Sequence, residues 1–341
     1  MEAAMKKAFW VLALLALSAD MAAQRIRNGC IPGTSGCGNC INPPPGSVCE
    51  PVPPGADAII ADFNRDGRSD AAFHHYSAGV KAWINYGEPD AGWSVFSPAA
   101  MTSWSAVGAG YFGPLTGNAD LDADIVWQND NTRAVRIWQM SQNVRLTNLT
   151  ITCPVGLTPC TNPAPPWKIV ATGYFGAPPG SLEPNDGKTD ILFRNETTGV
   201  MKAWIMNGTV VAKEIALTAT MPTSWHVVGA GFFDADSPDP WSDIVWFNPA
   251  SGEVQVWLMK ETSPGATDGT AVAQQVLVGF ETNLAWNAKA VVDLQQDGRP
   301  DILFRKEATG NMRTWWLTGT ALSGVVPLSV PDTATPWKLV P

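Results

Sequence analysis

The stretch Asp190-Ile-Leu-Phe-Arg-Asn-Glu-Thr-Thr-Gly199-Val-Met-Lys-Ala-Trp204-Ile-Met-Asn-Gly208 decides the fold. A carboxylate opens a short apolar run, Thr198-Gly199 breaks it, and a second β-favouring run leads to a tryptophan. This spells strand, tight turn, strand. The same text recurs four more times, opening at Asp70, Asp124, Asp243 and Asp301, with the tryptophan at Trp83, Trp138, Trp257 and Trp315. The Asp-to-Trp step is 13 residues in the first copy and 14 in the others. A fixed step across varied residues marks a structural repeat rather than a chance motif.

A second tryptophan register runs through Trp104, Trp167, Trp225, Trp286 and Trp337. Eight residues after the first four of these come Phe112, Phe175, Phe233 and Leu294, so a further strand leads up to each Asp. Units spaced by 54, 66, 53 and 58 residues are too small to bury both faces alone. Stacked radially, they cover one another. The expectation is an all-β chain, a β-propeller of four-stranded antiparallel blades, five in number. Phe63 matches Phe112, but no tryptophan stands eight residues before it; Trp337-Lys-Leu-Val340 supplies the missing strand from the other end. The ring is therefore expected to close by joining its N- and C-terminal strands, which removes exposed edges.

The segment before each Asp is acidic. The first copy reads Asp62-Phe-Asn64-Arg-Asp66-Gly67-Arg68-Ser-Asp70, with side-chain oxygens at positions one, three, five and nine and the Arg68 carbonyl at seven. Gly67 permits a sharp reversal, and the donor set is hard oxygen without thiolate or imidazole, which suits Ca2+. The glutamate at position twelve of an EF-hand is missing. The fifth copy keeps Asp293, Gln295, Asp297 and Asp301; the third keeps Asp186 and Asp190; the second has Asn118, Asp120, Asp122 and Asp124; the fourth has Asp234, Asp236, Asp239 and Asp243. Clustered carboxylates repel unless a cation neutralises them, so calcium is the expected cofactor.

These residues resemble the bacterial FG-GAP-like, or VCBS, repeats related to the integrin α-chain propeller. The resemblance rests on the acidic loop, Asp190-Ile-Leu-Phe-Arg-Asn, Thr198-Gly199 and Trp204-Ile-Met-Asn-Gly208, and covers roughly residues 56–341. It implies calcium in the loops between the first two strands of a blade, hence at Asp62, Asn64, Asp66 and Asp70, and at Asp293, Asp297 and Asp301. It implies no particular activity. Related propellers serve in adhesins, lectins and accessory domains of exported enzymes.

Residues 1–23 read as a secretory signal: Lys6 and Lys7 precede an apolar stretch over 8–19, too short to span a bilayer, and small residues follow. Residues 24–56 form a Cys-, Pro- and Gly-rich segment, and 57–341 the propeller. In an exported chain, six cysteines favour disulfides. Cys153 and Cys160 are expected to bridge within one insertion. Cys30, Cys37, Cys40 and Cys49 are expected to form two structural bridges, with a thiolate metal site as the alternative.

Thirty-one acids face 22 bases, a formal charge of -9, which offers no overall basic field for nucleic acid or an anionic membrane. No later segment is apolar enough for a transmembrane span. No phosphate loop, GxSxG or HExxH occurs, so no catalytic residue is assigned. Adjacent His74 and His75 on a strand point to opposite faces and make a poor metal pair, while His226 falls at a variable repeat position. Register tryptophans belong to the core; Trp93, Trp241 and Trp316 stand off register and are the candidates for stacking on a sugar or peptide. The reading is a secreted or cell-surface module, extracellular or periplasmic, that binds an extracellular protein or glycan. The alternatives are a structural subunit attached to a surface assembly through residues 24–56, and a secreted carbohydrate-active enzyme or its accessory domain.

Overall fold

A computed structural model describes residues 31–32, 47–48, 63, 70–75, 79–84, 92–96, 103–113, 123–141, 144–181, 187–234, 240–295, 299–328 and 338–339. The chain divides into two units, Met1–Ala56 and Asp57–Pro341. In the first, Ile31–Pro32 pairs antiparallel with Ser47–Val48. Cys30, Cys37, Cys40 and Cys49 lie outside the described residues.

The second unit is all-β, and no helix occurs among its described residues. Four sheets are each built from one continuous stretch and are four-stranded antiparallel meanders. Their strands are Trp104–Gly110, Asp124–Asn129, Val135–Ser141 and Val144–Ile151; Trp167–Gly173, Asp190–Asn195, Met201–Asn207 and Val210–Ala216; His226–Gly231, Asp243–Asn248, Glu253–Lys260 and Ala271–Phe280; and Asn287–Val292, Asp301–Arg305, Met312–Thr318 and Ala321–Leu328. A further sheet takes three strands from Ala71–His75, Gly79–Ile84 and Gly92–Phe96, and its first position from Lys338–Leu339, which lies antiparallel to Ala71–His75. The blades thus have the antiparallel four-stranded form of a β-propeller. In chain order they are called here the first (71–96 with 338–339) to the fifth (287–328) sheets.

Every repeat aspartate opens or immediately precedes the second strand of its sheet, and the repeat tryptophan, thirteen residues on in the first sheet and fourteen in the others, lies directly across from the residue after it: Ala71 opposite Trp83, Ile125 opposite Trp138, Ile191 opposite Trp204, Ile244 opposite Trp257, Ile302 opposite Trp315. The turn between these strands closes with a residue in the left-handed region. Gly199, Gly252 and Gly310 sit at φ 75°, 74° and 74° and donate to the carbonyls of Asn195, Asn248 and Lys306. Asn195 also accepts the Thr197 and Thr198 N–H groups, the local turn that its short amide favours. In the second sheet the same place is taken by Arg133, at φ 64°.

Neighbouring sheets meet along their first strands, where small residues let the backbones approach. A Cβ on Gly110 would lie 2.4 Å from Thr189, and one on Gly108 2.8 Å from Thr172. The Thr172 hydroxyl donates to the Ala109 carbonyl at 2.6 Å. Just before the aspartates, Thr189 and Ser242 accept the N–H groups of Tyr111 and Tyr174 from the preceding sheet. Apolar second and third strands fill the space between sheets. In the four sheets from 104 onward the aromatic three residues past the aspartate meets the third-strand tryptophan: Trp127 with Trp138, Phe193 with Trp204, Trp246 with Trp257, and Phe304 with Trp315, at 4.5 to 4.8 Å between centroids. All eight are buried, as the register expectation required of Trp138, Trp204, Trp257 and Trp315.

Candidate functional site

Two register shifts recur in the sheets. In the four sheets from 104 onward one falls in the first strand, between Ala106/Gly108, Ile169/Ala171, Val227/Gly229 and Ala288/Ala290. The other falls in the third strand, at Gln139/Met140, Ile205/Met206, Leu258/Met259 and Trp316/Leu317. A bulge takes a backbone N–H out of the ladder, and a buried N–H needs an acceptor. The repeat aspartate is that acceptor. Oδ1 of Asp124, Asp190, Asp243 and Asp301 receives the N–H of Met140, Met206, Met259 and Leu317 at 2.8, 2.8, 2.8 and 3.0 Å.

The other carboxylate oxygen holds the near end of the acidic loop. Oδ2 accepts Phe63 N–H on Asp70, Phe112 on Asp124, Phe175 and Gly176 on Asp190, Phe233 on Asp243 and, at 3.4 Å, Leu294 on Asp301. All five aspartates are fully buried. Each carboxylate thus clasps the first strand's exit to its own sheet, and in the four sheets from 104 onward also to the third strand. Charge-assisted bonds of this kind contribute about 1.5–3 kcal/mol each.

In the four sheets from 104 onward the clasp takes at least two of the roughly four acceptor directions of each carboxylate. The remaining oxygens expected to hold calcium come from the loops. Asp234 is half-buried in its loop, and Asp293 is buried. Gln295 points its amide at Asp301 Oδ1 at 3.4 Å, so positions three and nine of the fifth loop converge. Asp62, Asn64, Asp66, Arg68, Asn118, Asp120, Asp122, Asp186, Asp236, Asp239 and Asp297 lie outside the described residues.

Of the three off-register tryptophans, Trp241 is buried at 2% exposure beneath Gly269, where an added Cβ would lie 2.1 Å from the indole. The covering segment belongs to the long third-to-fourth connection of the fourth sheet. It reaches the third sheet through Ala177 N–H to Thr267 O and Gly269 N–H to Phe175 O. Trp241 is therefore core and offers no face to a ligand, a correction to its candidacy as a contact. Trp316 is half-buried beside Gly324. Trp93 pairs with Trp83 in the ladder. His74 is buried edge-on to Trp127, with ring centroids 4.9 Å apart.

The Cys153–Cys160 disulfide is present as expected. Its loop is fastened to the third sheet by Glu214, which accepts from Thr161 N–H, Trp204 Nε1 and Lys202 Nζ at 3.0, 3.0 and 2.9 Å. Lys202 is buried, donates also to the Thr161 hydroxyl, and lies over the Trp167 ring. Burial pushes the Glu214 carboxyl upward. Hydrogen bonds from Lys202, Thr161 and Trp204 and the Lys202 charge outweigh it, holding the group below its usual range.

The sheet end opposite the acidic loops carries the start of each first strand and the turn between the second and third strands. There the cations of the third strand lie on the second tryptophan register: Arg136 over Trp104 at 4.4 Å, Lys202 over Trp167 at 4.8 Å, Arg313 over Trp286 at 4.3 Å. In the fourth sheet Gln255 takes that position and bonds to Glu253, and among the described residues no cation stacks on the half-buried Trp225. Sequence reading passed over Arg133, Lys168, Glu196 and Lys289 at this end. The signal was available for one of them: Arg133, nine residues past its aspartate, stands where the other four repeats have glycine.

No family model matches the chain, and no match is found among curated proteins. Among solved structures, a chain of the Photorhabdus luminescens Tc holotoxin pore aligns at 13% identity over 83% of this chain and 12% of its own, with a TM-score of 0.37. A putative 6-phosphogluconolactonase from Bacteroides uniformis aligns at 11% identity over 78% of this chain and 69% of its own, with a TM-score of 0.33. This chain therefore spans a small part of the toxin chain that it resembles.

Proposed function

We propose that residues 57–341 close into a five-bladed propeller of FG-GAP/VCBS type that is secreted, carries calcium in its acidic loops, and acts as a binding or adhesion module for an extracellular protein or glycan. The observation that carries this reading is the repeated aspartate clasp. It fixes the first strand's exit into the acidic loop, and in four sheets the third strand, to one buried carboxylate, so the loop can vary without disturbing the sheet. A rigid ring with variable connections is the arrangement from which binding surfaces are commonly built. Pairing of Lys338–Leu339 with Ala71–His75 supports closure.

Calcium and binding are tested separately. Titration of metal-free protein with calcium is expected to raise the melting temperature, because a ligand of the folded state stabilises it by mass action. An unchanged melting curve removes calcium from the reading. A glycan array, paired with crosslinking to extracellular proteins, is expected to return a ligand that a soluble competitor displaces. Hydrolysis of a polysaccharide by the isolated protein would replace the binder with an enzyme.

A further inference from the structure

We propose that the end of the propeller opposite the acidic loops binds a polyanionic polysaccharide, one bearing uronate or sulfate groups, through Arg133, Lys168, His226 and Lys289; this rests on the binding-module reading and assigns its surface and ligand class.

The backbone of Arg133 makes the first argument. Its φ of 64° is the one that Gly199, Gly252 and Gly310 occupy at the equivalent turn. A side chain there costs about 1–2 kcal/mol relative to glycine. Strain of this kind marks a position held for something other than the turn. The side chain reaches Glu196 of the next sheet at 3.4 Å, and its Nε–H is buried with no acceptor among the described residues.

Charge balance makes the second. Glu196 is shared between Arg133 and Lys168, at 3.4 and 3.5 Å. Glu307 is shared between Lys289 and Arg305, at 2.7 and 3.0 Å. In the first group one carboxylate faces two cations and a positive charge is left over. Lys168, Glu196 and Glu307 remain well exposed at 47%, 45% and 44%, so an arriving anion can displace the carboxylates. His226 occupies the register of Lys168 on the next first strand, since Lys168 pairs with Arg194 and His226 with Phe247. Burial, then the charges of Arg194, Lys168 and Lys289, push its pKa down, and Glu196 is the one anion opposing them. Three cations and one carboxylate thus act on His226, although the chain as a whole carries -9.

The sequence hides this polarity because the acids are concentrated elsewhere. The connections from first to second strand carry Asp120, Asp122, Asp186, Asp234, Asp236, Asp239, Asp293 and Asp297. Of these, Asp234 and Asp293 lie within the described residues, each just beyond the far end of its first strand. A carbohydrate is favoured over an acidic peptide by Trp225 beside His226: its half-buried indole packs against the core but, unlike Trp104, Trp167 and Trp286, carries no stacked cation among the described residues, so its exposed part can meet a sugar ring while the cations take the anionic substituents. Near-equivalent groups on successive blades suit a ligand that repeats as well, through multivalency.

The test uses the full mature chain, with polygalacturonate and dextran sulfate as probes and neutral dextran and polyglutamate as controls, in affinity electrophoresis at several salt concentrations. Binding to one or both acidic polysaccharides is expected, weakening as salt rises. Retention by the first alone names uronate, and by the second alone sulfate. Lys168→Glu combined with Lys289→Glu is expected to weaken it about tenfold or more. Arg133→Gly relieves the backbone, so it is expected to keep the melting temperature while weakening binding, a split that a purely structural arginine would not produce. Equal binding by these variants, equal binding of polyglutamate, or no binding of either acidic polysaccharide overturns the proposal. If a neutral glycan or a protein partner is then captured, the binding-module reading stands alone; if nothing is captured, both fall.

Discussion

Asp190 Oδ1 receives the backbone N–H of Met206 at 2.8 Å, sixteen residues further along the chain, at the point where the third strand slips register. The same separation joins Asp124 to Met140, Asp243 to Met259 and Asp301 to Leu317. A bulge that would strand a buried donor is tied instead to a carboxylate that also holds the first strand. The aspartate is thus a framework residue of each blade before it is anything else.

Replacing Asp190 with alanine leaves the N–H groups of Phe175, Gly176 and Met206 without their acceptor. We expect a loss of about 3 kcal/mol or more, read as a lower urea midpoint. Asp190→Asn places a donor against a donor on one side and should lose nearly as much. The effect should persist in EDTA, because the clasp acts on backbone groups. Equal stability of wild type and Asp190→Ala in EDTA would make the carboxylate a metal ligand only.

Gly110 faces Thr189 so closely that a methyl group must displace it. Gly110→Ala should destabilise by about 1–3 kcal/mol, the usual penalty of overpacking. Thermal unfolding of Gly110→Ala beside Gly156→Ala, where no atom lies within 4 Å of the added Cβ, checks that the cost comes from contact between sheets and not from loss of glycine as such. Gly156 has φ 88°, so its variant measures backbone strain alone.

The pair Lys202–Glu214 should make stability depend on acid. The folded-state pKa of Glu214 is depressed, so its contribution is complete above the unfolded value of about 4.3 and is lost as pH falls below that toward the folded value. Melting temperatures of wild type and Glu214→Gln, measured from pH 6 downward to about 2, should converge as the carboxyl is protonated. Lys202→Ala, which leaves the carboxylate buried without its cation, should cost about 3 kcal/mol near neutrality.

The Cys153–Cys160 bridge closes a short loop, with a sequence separation of 7. Loop-closure entropy for so few residues is modest, so Cys153→Ala with Cys160→Ala should lower stability by about 2 kcal/mol. Glu214 and Thr161 hold the same loop, so the double variant should keep its fold, checked by an unchanged far-ultraviolet dichroism spectrum.

Much of this architecture could be read without coordinates. A step of fourteen residues from Asp124 to Trp138 counts out one strand, one turn and half of the next strand, and periodicity survives wherever packing repeats. Thr198-Gly199 is legible for the same reason, because a left-handed turn residue leaves a glycine in the text. The expected disulfide was legible because its cysteines lie close in sequence. The fate of Trp241 was not, because its cover, Gly269, arrives 28 residues later on a connection without a repeat signature.

Local order therefore lay in the one-dimensional pattern: which segments become strands, where they turn, and which aromatic rings go inward. Hydrophobic alternation and turn chemistry act between near neighbours, and the chain records them directly. The partners of polar groups were settled only when the sheets came together. Arg133 meets Glu196 across 63 residues, and Lys202 meets Thr161 across 41. Coulomb and hydrogen-bond energies depend on distance in space, which net charge and composition do not carry. A chain with an excess of acid can in this way bring two cations, Arg133 and Lys168, onto one carboxylate, Glu196.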